Sequence, residues 1–205
     1  MTHLLDNLAF NQTIIFVNRV DRAKKLTELL KQKLFNPICI HSNLKQEERI
    51  KNYDLFKANG SRLLVATDLF GRGIDIERVN LVINYGNYHF YLDFPVDRDS
   101  YLHRVGRAGR FGTKGLAINF IKPDEEDNGE NLTDKQVLME VQSGFKIKIE
   151  DLPKELDTSL YMWLKKPIQI PQSSINLFHN KFILYTWFID RFYLIGLCLS
   201  ISISI

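Results

Sequence analysis

Residues 62–79 read R-L-L-V-A-T-D-L-F-G-R-G-I-D-I-E-R-V. Arg62–Thr67 is a short apolar run, the pattern of a strand buried on both faces. Polar chemistry follows at once. Thr67 and Asp68 stand at the strand's carboxyl end, where a hydroxyl and backbone amides meet phosphate oxygens. Gly71 and Gly73 bracket Arg72 and let the loop approach a ligand's backbone closely. Asp75 accepts hydrogen bonds only, which suits a ribose hydroxyl or an arginine. An ordinary β–α loop with turn glycines would read the same way, so the flanking sequence has to decide.

Upstream, Thr13–Val17 and Pro37–His41 repeat the buried-strand pattern, and downstream Asn80–Tyr85 and Gly115–Ile121 do so again. Between them, Val20–Leu34 places Ala23, Leu26, Leu29, Leu30 and Leu34 at helical spacing. Asn43 with Gln46 resembles a helix cap and its reciprocal partner, opening a helix that would carry Ile50, Tyr53 and Phe56 inward. Thr133 with Gln136 opens another helix, and Lys146–Glu150 reads as an edge strand. Apolar strands alternating with amphipathic helices predict an α/β domain, a parallel sheet with helices on both faces. Ligands of such sheets gather beyond the carboxyl ends of the strands.

The second charged stretch, Tyr101–Gly112, reads Y-L-H-R-V-G-R-A-G-R-F-G. On a helix, His103, Arg107 and Arg110 would share one face. Such a stripe is either a solvated basic face or the counterpart of a polyanion, since the guanidinium fork pairs bidentately with phosphate. Gln46 and Arg49 stand at a helix start, where free backbone N–H groups favour anions. A solvated first turn explains them equally well, and the same holds for Asn18–Arg19.

Composition narrows the class. The 205 residues are 45% hydrophobic and 25% charged, enough for a sizeable core. A net charge of +3 permits nucleic-acid binding without arguing for it, so any basic footprint is local. Cys39 and Cys198 lie far apart with no C-x-x-C partner, which argues against a disulfide framework or a metal site and for a reducing compartment. Met1–Phe10 has no secretory pattern.

Taken together, I-I-F-V-N-R-V (14–20), Q-E-E-R (46–49), A-T-D-L-F-G-R-G-I-D (66–75) and H-R-V-G-R-A-G-R (103–110) resemble motifs IV, IVa, V and VI of the DEAD-box RNA helicases. The leading histidine of the last motif is that family's form. The stretches F-G-R-G-I-D-I-E-R-V-N, G-R-F-G-T-K-G-L-A-I-N-F and D-L-P-K-E-L-D resemble one nuclear subgroup, the ATPase of spliceosome assembly and the transcription–export complex.

The resemblance covers residues 4–161 and implies a RecA-like helicase C-terminal domain over 1–161. It implies ATP as the cofactor and RNA as the ligand. Arg107 and Arg110 would be arginine fingers on the transferring phosphoryl group. His103 would join them at the catalytic site, and with Arg104 would connect the helix to a partner domain. Asp75 and Gly73, with the two fingers, would meet the nucleotide. Thr67, Asp68, Gly71, Gln46, Arg49, Arg19 and Arg104 would hold the RNA backbone without reading bases. The implied location is the nucleus, with the cytoplasm as a second site, and mRNA-export or spliceosomal proteins are the implied partners.

The sequence departs from the family in three places. No G-x-x-x-x-G-K-[ST] and no D-E-x-D run appears. In the family these lie on a first, N-terminal RecA-like domain that also holds Mg2+, so the expectation is the second half of an enzyme, inactive toward ATP alone. Its rival is a stand-alone RNA- or protein-binding module that never catalyses. Residues 86–92, G-N-Y-H-F-Y-L, interrupt the family's passage from N-Y to D-x-P and read as an insertion, a translated intron or an aromatic loop for stacking bases. Residues 162–205 form an atypical hydrophobic tail, read in order as non-native or mis-annotated coding sequence, a partner-binding tail or a membrane anchor. Asp190 and Arg191 break its apolar run below the roughly 20 residues a span needs, and its Ser/Ile end reads as an aggregation-prone strand.

Overall fold

The structure, a computed structural model, describes residues 2–68, 75–85, 93–110, 113–121 and 133–151, and the short segments 155–157, 167–169, 182–184 and 198–204. After the opening helix α1 (Thr2–Asn7) come β1 (Gln12–Phe16), α2 (Val20–Gln32), β2 (Pro37–Ile40), α3 (Gln46–Lys57) and β3 (Leu63–Ala66). Next stand β4 (Val79–Asn84), α4 (Arg98–Val105), β5 (Gly115–Ile121) and α5 (Asp134–Phe145). Short strands follow: β6 (Glu150–Asp151), β7 (Glu155–Asp157), β8 (Pro167–Gln169), β9 (Phe182–Leu184) and β10 (Cys198–Ser204).

The first five strands are parallel in the order β2-β3-β1-β4-β5. All five fall within a residue or two of where their apolar runs place them. Side chains alternate between two cores, as the strand's period of two demands. Ile15, Val17, Val65, Leu81, Ile83, Leu116 and Ile118 pack under α1 and α2. Ile14, Phe16, Leu64, Ala66, Val82 and Ala117 pack under α3, α4 and α5. Helices therefore cover both faces.

Beyond β5 the order continues β10-β9-β6, with β10 parallel to β5 over seven residue pairs and β9 antiparallel to β10. The sheet is thus mixed at this end, not parallel throughout. Most of the tail, and all of the 86–92 insertion, lie outside the described residues.

Three local expectations are corrected. Asn43 does not cap α3: the cap residue is Lys45, with no side-chain hydrogen bond to the helix. Ile50 is half exposed rather than core. Tyr53 does pack, half-buried, against the core that holds Phe56, while Asn52 donates to the Cys39 carbonyl (3.0 Å) and Arg49 to the Ser42 and Leu44 carbonyls (3.1 and 3.2 Å). Lys146–Ile149 is not a strand: Lys146 turns left-handed at φ 51°, and Gln142 takes the N–H groups of Ile147 and Ile149. By contrast, Thr133 and Gln136 form the reciprocal cap expected of them.

Among the described residues, no helix is long and apolar enough to cross a membrane. No three His, Cys, Asp or Glu side chains among them gather to hold a metal ion.

Candidate functional site

The carboxyl ends of β1, β2, β3 and β4 form one rim carrying Asn18, His41, Thr67 with Asp68, and Tyr85. Beneath it runs α4, started by Asp97, whose carboxylate accepts from the Ser100 N–H at 2.6 Å. The last turn of α4 puts Arg104 under the rim, 1% exposed.

A buried guanidinium is tolerated only when its donors are satisfied. Arg104 makes five hydrogen bonds, one for each N–H it owns. Two go to the two carboxylate oxygens of Asp68. The others go to the Asn18 side-chain oxygen, the Asp93 carbonyl (2.6 Å) and the Asn84 side-chain oxygen (3.4 Å). The Phe16 ring lies 5.5 Å below the cation. Read as a direct RNA contact in the sequence, Arg104 stands behind the rim, with every donor engaged.

The network extends both ways. Asp93, also 1% exposed, accepts the Asn18 backbone N–H (2.8 Å) and pairs with Arg22 (2.9 Å). Burial pushes its carboxyl above the usual range, against the pull of these two partners and Arg104. In the other direction the Asn84 amide donates to Asn119 (2.6 Å), and Asn119 donates to the Tyr101 hydroxyl (3.2 Å).

The expected basic stripe is not helical. The helix ends at Val105 and Gly106 caps it, so Arg107 and Arg110 lie on the turn that follows. Arg107 folds back to donate to the His103 carbonyl at 2.9 Å, and His103 itself is exposed. Gly109 takes φ 69°, which glycine alone adopts without strain, and its N–H meets the Val79 carbonyl at 3.3 Å. This turn sets Arg110 against Asp75 at 2.9 Å, both partly exposed. Burial and the neighbouring Arg110 charge lower the Arg107 pKa, while Asp75 opposes them.

The remaining expected residues divide. Gln46 is exposed at the first position of α3, and Arg49 faces the loop before it. Arg19 is exposed and paired with Asp21 at 3.0 Å. Thr67 is buried, and its hydroxyl finds no partner among the described residues. Gly71 and Gly73 lie outside the described residues. The structure gathers Asn18 and Asp68 on Arg104 at the carboxyl ends of the strands, and sets Asp75 and Arg110 with Arg107 on a separate turn at the start of β4 and β5, where the Gly109 N–H meets the Val79 carbonyl.

Sequence reading missed Asp93, Asn84, Asn119 and Tyr101. A signal existed for the asparagines. Each interrupts an otherwise apolar strand, N-L-V-I-N-Y and G-L-A-I-N-F-I, at positions that pair in register.

Residues 1–112 match the helicase conserved C-terminal domain family. The chain is 53% identical over 162 residues to DEAD-box ATP-dependent RNA helicase 15 of Arabidopsis thaliana, covering 79% of this chain and 34% of that protein. It is 55% identical over 159 residues to ATP-dependent RNA helicase uap56 of Schizosaccharomyces pombe, covering 78% and 33%. It thus spans about a third of the length of these curated relatives. Among solved structures it is similar to the C-terminal domain of the DEAD-box protein Dbp5, at 33% identity and TM-score 0.56, over 70% of this chain and 75% of that one. It is also similar to S. cerevisiae Dbp5 bound to RNA and ADP BeF3, at 32% identity and TM-score 0.57, over 69% and 34%.

Proposed function

The chain belongs to the DEAD-box RNA helicases as their second, C-terminal RecA-like domain, and on that premise we propose that it clamps RNA backbone and supplies the arginines of ATP hydrolysis. The observation that carries this reading is the ion pair of Arg110 with Asp75, beside Arg107 on the same turn. Two guanidinium groups next to a carboxylate are what a nucleotide needs from this half of a cleft. The cations meet negative phosphoryl oxygens and the carboxylate accepts from a ribose hydroxyl. His103, exposed on the preceding turn of α4, faces the companion domain.

RNA lies along the rim. Gln46 and the free N–H groups at the α3 start meet phosphates, with Arg49, Arg19 and Thr67 beside them. Arg104 acts from behind by fixing Asp68 and Asn18. Backbone contacts of this kind carry no sequence information.

ATP is bound between this domain and an N-terminal RecA-like domain, whose residues hold Mg2+. When bound there, Mg2+ would supply neutralisation of the charge developing on the phosphoryl oxygens. Closure of both domains over ATP and RNA bends one strand and separates it from its complement. The work is nuclear mRNA splicing and export, in company with proteins of those assemblies.

The test is Arg110→Ala in the enzyme that carries both domains. ATP turnover falls by about 10³-fold or more, the loss typical of an arginine finger, while RNA binding survives. Normal turnover removes the assignment. The 205-residue chain alone shows no steady ATP hydrolysis, and hydrolysis by it would contradict the two-domain reading.

A further inference from the structure

A cavity of about 340 Å³ opens between α2 and the carboxyl ends of β1 and β4. Its walls are apolar: Val17 and Leu26 are buried, and Leu29 stands half exposed at the mouth. Tyr85 closes one side, its ring packed edge-on against Phe120 at 5.5 Å. Lys25 and Arg22 supply positive charge from α2.

Asp93 completes the lining. One of its oxygens, Oδ1, is engaged by the Asn18 N–H and by Arg22. The other, Oδ2, is a buried acceptor with no hydrogen-bond partner among the described residues. Such an atom is costly to leave unmatched and marks a place where a donor belongs. The Tyr85 phenol is pushed upward by burial and by Asp93, so it remains a protonated donor beside the carboxylate.

We propose that this cavity accepts one nucleobase of the RNA held on the adjoining rim, and that it favours bases presenting an amine to Asp93 Oδ2. The proposal rests on the RNA reading above and adds base preference to a backbone clamp. Cytosine and adenine offer an exocyclic amine, and guanine offers an amine beside a ring N–H. Uracil offers one N–H flanked by two carbonyl oxygens, which a carboxylate repels. The apolar walls cover the base faces, and Lys25 meets the phosphate of the same nucleotide.

Contiguity favours RNA as the occupant. Val17 adjoins Asn18 on the rim, and Asp93 binds the Asn18 backbone through its carboxylate and Arg104 through its carbonyl. A base in the cavity therefore touches the scaffold that sets the clamp.

The test uses the 205-residue chain, titrated to millimolar concentration with AMP, CMP, GMP and UMP while backbone amide NMR shifts are followed. Shifts at Val17, Leu26 and Tyr85 report the cavity, and shifts at Asp75 and Arg110 report the separate nucleotide site. The expected result is cavity binding of CMP, AMP and GMP about fivefold tighter than UMP, the worth of one net hydrogen bond. Oligo(C) and oligo(A) then outbind oligo(U) by a similar factor.

Leu29→Trp narrows the mouth at a half-exposed position and equalises the oligonucleotides, leaving oligo(U) affinity within about twofold. Gln46→Ala with Arg49→Ala weakens every oligonucleotide alike and keeps their order. Equal cavity binding of all four nucleotides overturns the base pocket, as does binding of none. Binding of N-acetyl-tryptophanamide without any nucleotide also overturns it and assigns the cavity to a partner's aromatic side chain. In each of those cases the clamp reading stands if oligonucleotides still bind through Gln46 and Arg49, and falls with it if they do not.

Discussion

The guanidinium of Arg104 faces the carboxylate of Asp68 fork to fork, joining the end of α4 to the end of β3. Two loops that carry separate sequence motifs are thereby held as one body. The cation is buried while the carboxylate is partly exposed, so the two partners are not equivalent.

Arg104→Lys keeps the charge but loses the planar set of five donors, leaving Asn18, Asn84 and the Asp93 carbonyl short of partners. We expect a loss of about 3 kcal/mol in urea-unfolding stability, near the low end for breaking a buried pair. Asp68→Asn costs less, because solvent screens its side of the contact. Equal losses from both variants would show that the burial of Arg104 is not what matters.

Much of this architecture is legible in the chain. The five parallel strands are short runs of β-branched and aliphatic residues, and their burial on both faces follows from that alone. Asn18, Thr67 and Asp68 stand at the carboxyl ends of β1 and β3 because the apolar runs that form those strands end just before them. The α4 turn is not legible. Helical spacing puts His103, Arg107 and Arg110 on one stripe, but Gly106 ends the helix and Gly109 reverses the chain. Side-chain to backbone hydrogen bonding is also invisible to periodicity: Asn52 and Arg49 turn from α3 to donate to the carbonyls of Cys39, Ser42 and Leu44. Arg104 reads in the sequence as one more phosphate ligand, and only its burial makes it an organiser.

Asp75 and Arg110 form an ion pair at 2.9 Å. In the function proposed above, nucleotide binding exchanges that pair for contacts to ribose and phosphate. In the two-domain enzyme, Asp75→Ala therefore raises the KM for ATP about tenfold, from the loss of a hydrogen bond to a charged acceptor. Folding stability moves by less than about 0.5 kcal/mol, since the pair is solvent-exposed. An unchanged KM would mean that Asp75 serves only to hold Arg110.

Between β4 and β5, Asn84 donates to Asn119, which donates to the Tyr101 hydroxyl inside the core. Tyr101→Phe leaves an amide N–H of Asn119 without this acceptor. The expected cost is about 1–2 kcal/mol in thermal or urea unfolding. A stabilising effect would show that the buried polar chain is dispensable.

His41, at the end of β2, is buried with Nδ1 unpartnered among the described residues. Burial, then the Lys24 charge and more weakly that of Arg49, holds its pKa below the ordinary 6.5, while a backbone hydrogen bond and Glu48 oppose this. Above 6.5 both folded and unfolded states carry neutral imidazole, and the group is silent. Below 6.5 the unfolded chain binds the proton first, so stability falls as pH drops until the folded group also titrates. His41→Gln removes that slope. Unfolding midpoints measured from pH 7.5 to 5.5 decline less in the variant, and parallel curves would dismiss His41 as their source.

Gly115 opens β5 directly behind the arginine turn. A Cβ there would stand 2.5 Å from the Gly109 nitrogen and 2.8 Å from the Ala108 carbonyl carbon, backbone atoms that cannot swing aside. Gly115→Ala must therefore displace either β5 or the turn. The strand is held in register by β4, so the turn is the weaker side and Arg110 moves with it. The expected cost is about 1–3 kcal/mol of stability, as for other overpacked sites. In the two-domain enzyme, ATP turnover falls further than RNA affinity, although no arginine has been altered. If turnover and RNA binding instead decline together and only in proportion to the folded fraction, the strand has yielded, and the close contact of Gly115 with Gly109 does not set the arginine geometry.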